Sequence, residues 1–190
     1  KLQQSEPKGS LAPVLVDALG KIPVAAAALQ RDDLLTARRV ATDAVDELLG
    51  TVDTPEEVLA SQKYVSLFVA ANIAGHAEYR QGDYAAAERS ERVAMAGRRA
   101  WGSQAVTDRR DLGEISTWLA MALVRQGKRA EAAQLIAPVV KFERQLAARN
   151  RGDEWLPIEL ASALYVQALA EQQARAALLL EAAALLDGAR

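Results

Sequence analysis

The sequence has 190 residues, 51% of them hydrophobic and 25% charged, with a net charge of -2 at pH 7. This composition excludes a disordered chain, and the small net charge gives no field that would draw the protein to nucleic acid or anionic lipid. The absence of cysteine excludes disulfides, thiol nucleophiles and thiolate metal sites.

Residues 1–10 are polar and predict a frayed N-terminal segment. The chain starts without an initiator Met or a signal pattern, and we expect a piece of a larger protein. No apolar run looks long enough to cross a bilayer, so we expect no membrane-spanning segment in these residues. The compartment stays open, with a cytoplasmic location favoured.

Glycine, proline and capping residues divide the rest of the chain into helices. Three helix-breaking residues between Leu11 and Gln30 predict two short helices with a bend: Pro13, Gly20 and Pro23. Asp32 or Asp33 then caps a helix that continues to about Leu49 and ends at Gly50.

Residues 54–57 combine a hydroxyl, a proline and two acids, the signal for a helix start, and predict a long helix to about Gln81. Gly82 and Asp83 end that helix and cap the next one, which continues to Trp101. Similar signals predict the remaining helices: Thr107 to Gln126, Lys128 to about Asn150 after a turn at Gly127, and a last pair after Arg151.

Small residues recur at matching positions of these helix pairs. The clearest copy has Gly75, Gly82, Ala87 and Ala94, and Gly127 follows Gly82 by 45 positions. The same displacement defines a second copy, with Ala120, Gly127, Ala132 and Val139, and a degenerate third copy, with Gln172, Ala177 and Ala184. A displacement of 50 defines an earlier copy, with Asp32, Ala37 and Ala44.

This small-residue skeleton resembles the tetratricopeptide repeat (TPR). The resemblance implies an all-α fold, a right-handed α-α superhelix of antiparallel helix pairs with about three to four repeats, in a single domain over residues 11–190. The spacing exceeds the family's usual period of about 34 residues, so we expect longer helices. A generic α-helical bundle is the alternative.

The resemblance also implies that the first helix of each pair lines a concave groove that binds a peptide or protein. The candidate groove residues lie on two of these helices: Asn72, His76, Tyr79, Arg80, Thr117, Met121 and Arg125. Equivalent positions are held by Glu114 in the second copy and by Glu159, Ser162, Val166 and Leu169 in the last one. Each of these residues also has an ordinary interpretation, as a packing residue or as a partner of the helix dipole.

Nothing in the sequence forms a catalytic or metal-binding set. His76 is the only histidine and has no carboxylate four residues away, and no glycine-rich phosphate loop is present. We therefore expect no enzyme activity, cofactor or metal. Arg98, Arg99, Arg109 and Arg110 stand among acidic residues and predict an internally neutralised surface rather than an anion site.

The expected function is a protein- or peptide-binding scaffold module of a larger bacterial signalling or regulatory protein. One alternative is a structural dimerisation or spacer domain whose groove is filled by residues 11–29, and another is the non-catalytic part of an enzyme. The last helix is apolar around most of its circumference between Ala176 and Leu186, which predicts that a partner, such as a second copy in a homodimer, covers it.

Overall fold

The computed structural model describes residues 11–51, 57–102, 106–150 and 152–188. These residues form an all-α structure without a strand, and their eight helices are α1 (Leu11–Gln30), α2 (Leu34–Leu49), α3 (Glu57–Arg80), α4 (Tyr84–Trp101), α5 (Val106–Arg125), α6 (Arg129–Arg149), α7 (Leu156–Ala170) and α8 (Arg175–Gly188). The segment 1–10, expected to be frayed, and the start signal at residues 54–56 lie outside the described residues.

The chain divides into two compact units, Lys1–Gln104 (unit 1) and Ala105–Arg190 (unit 2). In unit 1, α1 packs against α2 and α3, α2 against α3, and α3 against α4. In unit 2, α5 packs against α6 and α7, α6 against α7, and α7 against α8. Each unit is therefore built from two consecutive helix pairs. The single repeat domain over residues 11–190 stays a prediction.

Three of the turns inside helix pairs have the same backbone conformation. In each of these turns one residue has a positive φ: 64° at Asp32, 83° at Gly82 and 80° at Gly127. Glycine adopts this left-handed region without a steric penalty, and aspartate tolerates it better than most residues. The sequence alignment of these three positions is thereby confirmed.

The residue after each positive φ closes the turn by the same hydrogen bond. Its backbone N–H donates to a carbonyl five residues earlier at 2.9 Å: Asp33 to Ala28, Asp83 to Glu78, and Lys128 to Leu123. This bond satisfies a carbonyl that the end of the helix leaves open. Asp33 and Asp83 also cap the next helix, since their carboxylates accept from the backbone N–H three residues on, each at 3.1 Å.

Alanines let the helices of unit 1 approach closely. Ala28 of α1, Ala37 of α2 and Ala77 of α3 form one fully buried cluster, and Ala25, Ala41 and Ala74 belong to a second. The small positions of the second helices are buried as the repeat predicts in three copies: Ala37 and Ala44, Ala87 and Ala94, Ala132 and Val139.

The register predicted for the degenerate third copy was wrong. A displacement of 45 predicts that Ala177 and Ala184 are the buried positions of α8, but both are exposed. The buried residues are instead Leu178 and Ala182. The turn before α8 lacks the glycine turn of the other pairs, because Glu171 caps α7 with an extended backbone. Because this turn differs, α8 has a different rotation about its own axis, and a different face of the helix is buried.

The prediction of two short helices between residues 11 and 30 was also wrong, because α1 is continuous. Pro13 lies in the first turn, where its missing N–H has no partner in the helix. Pro23 lies inside the helix and removes one hydrogen bond to the carbonyl of Leu19. Pro23 and Leu19 are both exposed, so water can reach the freed carbonyl of Leu19.

By length and composition α1 would also suffice to cross a membrane, contrary to the expectation from the sequence. It carries one charged pair, Asp17 and Lys21, and Lys21 also contacts Glu47 of α2. In this structure α1 is a packed helix of unit 1, with Ala25 and Ala28 in the core and Val16 exposed.

Candidate functional site

Three helices of unit 2 border a concave cavity. Helix α7 contacts both α5 and α8, while α5 and α8 share no contact within the described residues, so α7 lies between them. On each helix the lining residues are spaced by three or four positions, which places them on one face. They are Thr107, Arg110, Asp111, Glu114, Thr117, Trp118 and Met121 of α5, Trp155 at the cap of α7, Ile158, Glu159, Ala161, Ser162 and Tyr165 of α7, and Leu179, Ala182, Ala183 and Leu186 of α8. Glu143 of α6 completes the wall.

The cavity has a volume of about 1040 Å³. From Arg110 to Met121 it follows α5 for eleven residues, or about 16 Å at the rise of an α-helix. Along this face the charged residues come first, and Thr117, Trp118 and Met121 follow. The cavity therefore has the dimensions of a groove for about three turns of a helix.

An arginine clamp ties α5 to α7 at the cavity. The guanidinium of Arg110 donates two hydrogen bonds to the carboxylate of Glu159, at 3.0 and 2.6 Å, and a third to Asp153 at 3.1 Å. These carboxylates raise the pKa of Arg110, chiefly through the bond to Glu159. The geometry is the bidentate pairing that fixes both side chains. Arg110 is thereby neutralised, as the sequence predicts. Arg98 does not belong to such a surface, because its side chain is buried in unit 1, only 1% exposed.

A buried carboxylate faces this clamp. Glu143 is only 4% exposed, and its Oε2 has no hydrogen-bond partner within the described part of the chain. Burial raises the pKa of Glu143 to about 7, and the negative charge of Glu159 adds to the effect, while Arg110 opposes it. The side chain has room because α5 carries Gly113 there: a Cβ on that residue would lie 3.2 Å from Oε1 of Glu143.

Two hydroxyl groups of the cavity donate inside their own helices. Thr117 donates to the carbonyl of Gly113 at 2.8 Å, and Ser162 donates to the carbonyl of Ile158 at 2.9 Å. Both bonds are the back-bonding typical of such residues in helices. The walls around Trp118, Met121 and Tyr165 are consequently more apolar than the amino-acid types suggest.

Two of the predicted groove residues, Thr117 and Met121, line this cavity together with the equivalent positions Glu114, Glu159 and Ser162. The other two equivalent positions pack elsewhere, since Val166 is buried and Leu169 is half-buried. Arg125, at the end of α5, is exposed and does not line the cavity.

The remaining predicted residues belong to α3 in unit 1. Asn72 is half-buried and its Oδ1 has no hydrogen-bond partner among the described residues. His76 lies with Nε2 4.0 Å from Oε1 of Glu91. Burial lowers the pKa of His76 to about 4, and the charge of Arg80 contributes. His76 is thus a neutral imidazole at pH 7.

Tyr79 and Arg80 are engaged inside unit 1. The ring of Tyr79 packs on that of Tyr84, with centroids 5.3 Å apart. Arg80 donates to Asp32 at 2.5 Å and to the carbonyl of Leu29 at 3.3 Å, and so ties the end of α3 to the turn after α1. Arg80 therefore serves a contact between helix pairs.

Sequence reasoning missed several residues of the cavity: Glu143, Trp155, Tyr165 and the four residues of α8. The spacing of Trp155, Glu159 and Ser162 was a usable signal, because three or four positions separate them on α7. Glu143 gave no signal, since its burial depends on Gly113 of another helix. Across the described residues no group of three or more His, Asp or Glu side chains is arranged to hold a metal ion.

Comparison of the chain with protein-family models, with curated proteins and with solved structures finds no match in any of the three. The functional interpretation therefore depends on the geometry of this cavity.

Proposed function

We propose that this chain is a helical-repeat module that binds a segment of another protein, and that the cavity of unit 2 is the binding site. The observation that carries the proposal is the groove itself, three helix faces around one concave space of about 1040 Å³. A groove of this length, with apolar lining residues on α5, α7 and α8, suits the apolar face of a short amphipathic helix.

Features typical of helical-repeat proteins support this proposal. Three turns share their conformation and their closing hydrogen bond, and small residues are buried at matching positions in three copies. In unit 2 the concave face belongs largely to α5 and α7, the first helices of their pairs, as the resemblance implies. Membership of a larger bacterial signalling or regulatory protein stays a prediction.

A peptide selection with two matched variants tests the proposal. Ala183 lines the cavity and Ala184 does not, although both are exposed residues of α8. Ala183→Trp therefore fills the cavity, and Ala184→Trp adds the same bulk beside it. Display libraries of 20-residue amphipathic peptides are selected on the unaltered chain and then measured against both variants.

The proposal predicts enriched peptides that bind the chain and the Ala184→Trp variant alike and bind Ala183→Trp at least tenfold more weakly. Peptides that bind both variants equally would place the binding surface elsewhere. If no peptide is enriched over a scrambled library, the proposed function is wrong.

The self-filled groove has less support. Its proposed filler, residues 11–29, packs as α1 against α2 and α3 within unit 1. The dimer alternative has one specific observation in its favour, since Leu180 of α8 is 73% exposed. Sedimentation of the Leu180→Glu variant checks it: a dimer that this change dissociates supports the alternative, and a monomer before and after the change removes it.

A further inference from the structure

Most of the charged residues that line the cavity are acidic. Four carboxylates line it, on Asp111, Glu114, Glu143 and Glu159, against one guanidinium, on Arg110. That guanidinium is already held by Glu159 and by Asp153, which stands just before α7. The lining residues of α8 carry no charge.

Glu143 is the member of this set that points to a ligand. It is more than nine-tenths buried and lines the cavity, and Oε2 lacks a hydrogen-bond partner within the described residues. Leaving a carboxylate oxygen buried without a partner is costly, so such groups are usually paired or held for a function. The missing partner is a donor, and a positively charged donor gives the strongest bond.

The aromatic residues of the cavity favour the same kind of ligand. Trp118, Trp155 and Tyr165 line it, and the faces of such rings attract ammonium and guanidinium groups. The methylene stem of a lysine or arginine also packs well on apolar walls while its head reaches a carboxylate. One basic side chain would thus use both features of the cavity.

We propose that the cavity recognises a lysine or arginine side chain of the bound segment, whose cationic head pairs with the carboxylate of Glu143. This inference rests on the binding function proposed above and adds the chemistry of the partner: an amphipathic segment with a basic residue at the edge of its apolar face.

Recognition by Glu143 makes binding dependent on pH. With a pKa of about 7, Glu143 is mostly protonated at pH 6 and mostly ionised at pH 8. The charged groups that line the cavity with it are Arg110, Asp111 and Glu114 from α5, and Glu159 from α7. Burial is the main cause of its raised pKa, Glu159 adds to the effect, and Arg110 opposes it. A cation requires the ionised form, so its affinity rises about tenfold between pH 6 and pH 8.

Small probes test the inference apart from any peptide. The probes are n-hexylammonium, which carries a lysine-like head, and n-hexanol, its neutral counterpart. Met121 lines the cavity and Met95 is buried in unit 1, and these are the chain's two methionines, so 13C-methyl labelling gives one reporter and one internal control. Titrations use the full chain, the Glu143→Gln variant, and Glu131→Gln as a control that removes an exposed carboxylate from the same helix.

At pH 8 we expect n-hexylammonium to bind at least tenfold more tightly than n-hexanol, with a shift of the Met121 methyl signal and none at Met95. The preference disappears in Glu143→Gln and persists in Glu131→Gln. Unchanged helicity shows that each variant is folded.

Equal binding of the two probes would overturn the inference and leave the proposed function standing, because an open cavity would still accept apolar groups. A preference that survives Glu143→Gln would also overturn it, as would the absence of n-hexylammonium binding. The proposed function is judged separately, by the two tryptophan variants of α8.

Discussion

Arg110 of α5 and Glu159 of α7 meet in two parallel hydrogen bonds, with N–O distances of 3.0 and 2.6 Å. Glu159 repels a second carboxylate, that of Glu143 on α6, while Arg110 attracts it. The pair therefore does two things: it joins two walls of the cavity, and its two charges act in opposite directions on the pKa of Glu143, which burial raises.

Removing the two partners of this pair should move the pKa of Glu143 in opposite directions. Arg110→Met removes an attraction and raises the pKa above about 7, whereas Glu159→Gln removes a repulsion and lowers it. The measurement is a titration of the 13C-labelled Glu143 carboxyl signal by NMR, assigned with Glu143→Gln. A shift of the same sign in both variants would show that the wall has rearranged and that the electrostatic account is wrong.

Glu143 should make the stability of unit 2 fall as the pH rises. Its pKa in the folded chain, about 7, exceeds the ordinary value of 4.5. The folded state therefore holds the proton more tightly, and the contribution is complete below pH 4.5 and lost as the pH passes 7. A difference of this size corresponds to about 3 kcal/mol.

The check is urea unfolding of the chain and of Glu143→Gln between pH 4.5 and pH 8. Relative to the variant, the chain should lose about 3 kcal/mol of unfolding free energy over this range. A constant difference between the two proteins would show that Glu143 is not destabilised by burial.

His76 should have the opposite pH dependence in unit 1. Its pKa is lowered from 6.5 to about 4, chiefly by burial, so the folded state disfavours the charged imidazole. The associated stability is present above pH 6.5 and is lost as the pH falls to 4, by up to about 3 kcal/mol. His76→Gln should remove this acid-dependent loss, as measured by urea unfolding at pH 7 and pH 4. Because His76 is the only histidine, its imidazole signal reports the pKa directly, and a value near 6.5 would contradict the prediction.

Gly127 should affect the stability of the fold through its backbone conformation alone. Its φ of 80° is unfavourable for a residue with a Cβ, yet a Cβ there would meet no atom within 4 Å. Gly127→Ala should therefore cost about 1 kcal/mol of unfolding free energy through backbone strain. Gly152 offers a matched control, since it has the same open surroundings without a positive φ. Equal stability of the Gly127→Ala and Gly152→Ala variants would remove the turn argument.

The sequence was sufficient for the approximate boundaries of α2 to α6 and for three turns because those features are local. Gly82 with Asp83, for example, combines a residue for positive φ with a capping carboxylate, and both signals lie within two positions. The prediction for α1 was wrong because it treated Pro13 and Pro23 as helix-breaking residues regardless of their positions. Their cost depends on position in the helix and on exposure, which periodicity does not reveal.

The cavity was predictable only in part. Thr117 and Met121 followed from the register of a first helix, which a repeat pattern supplies. The residues that α8 contributes to the cavity depend on the rotation of this helix about its axis. That rotation differs from the predicted one because the turn before α8 lacks the glycine of the other copies. Glu143 depends on contacts between separate helices, with Gly113 and Glu159, and such contacts leave no pattern in one sequence.

The most direct test of the binding site is the 13C-methyl spectrum of the chain with an enriched peptide bound. The account predicts that the Met121 signal shifts in proportion to the bound fraction, that the Met95 signal does not move, and that Ala183→Trp abolishes the shift at the same peptide concentration. A bound peptide that leaves Met121 unchanged, or that shifts Met95 instead, would contradict the assignment of the cavity as the binding site.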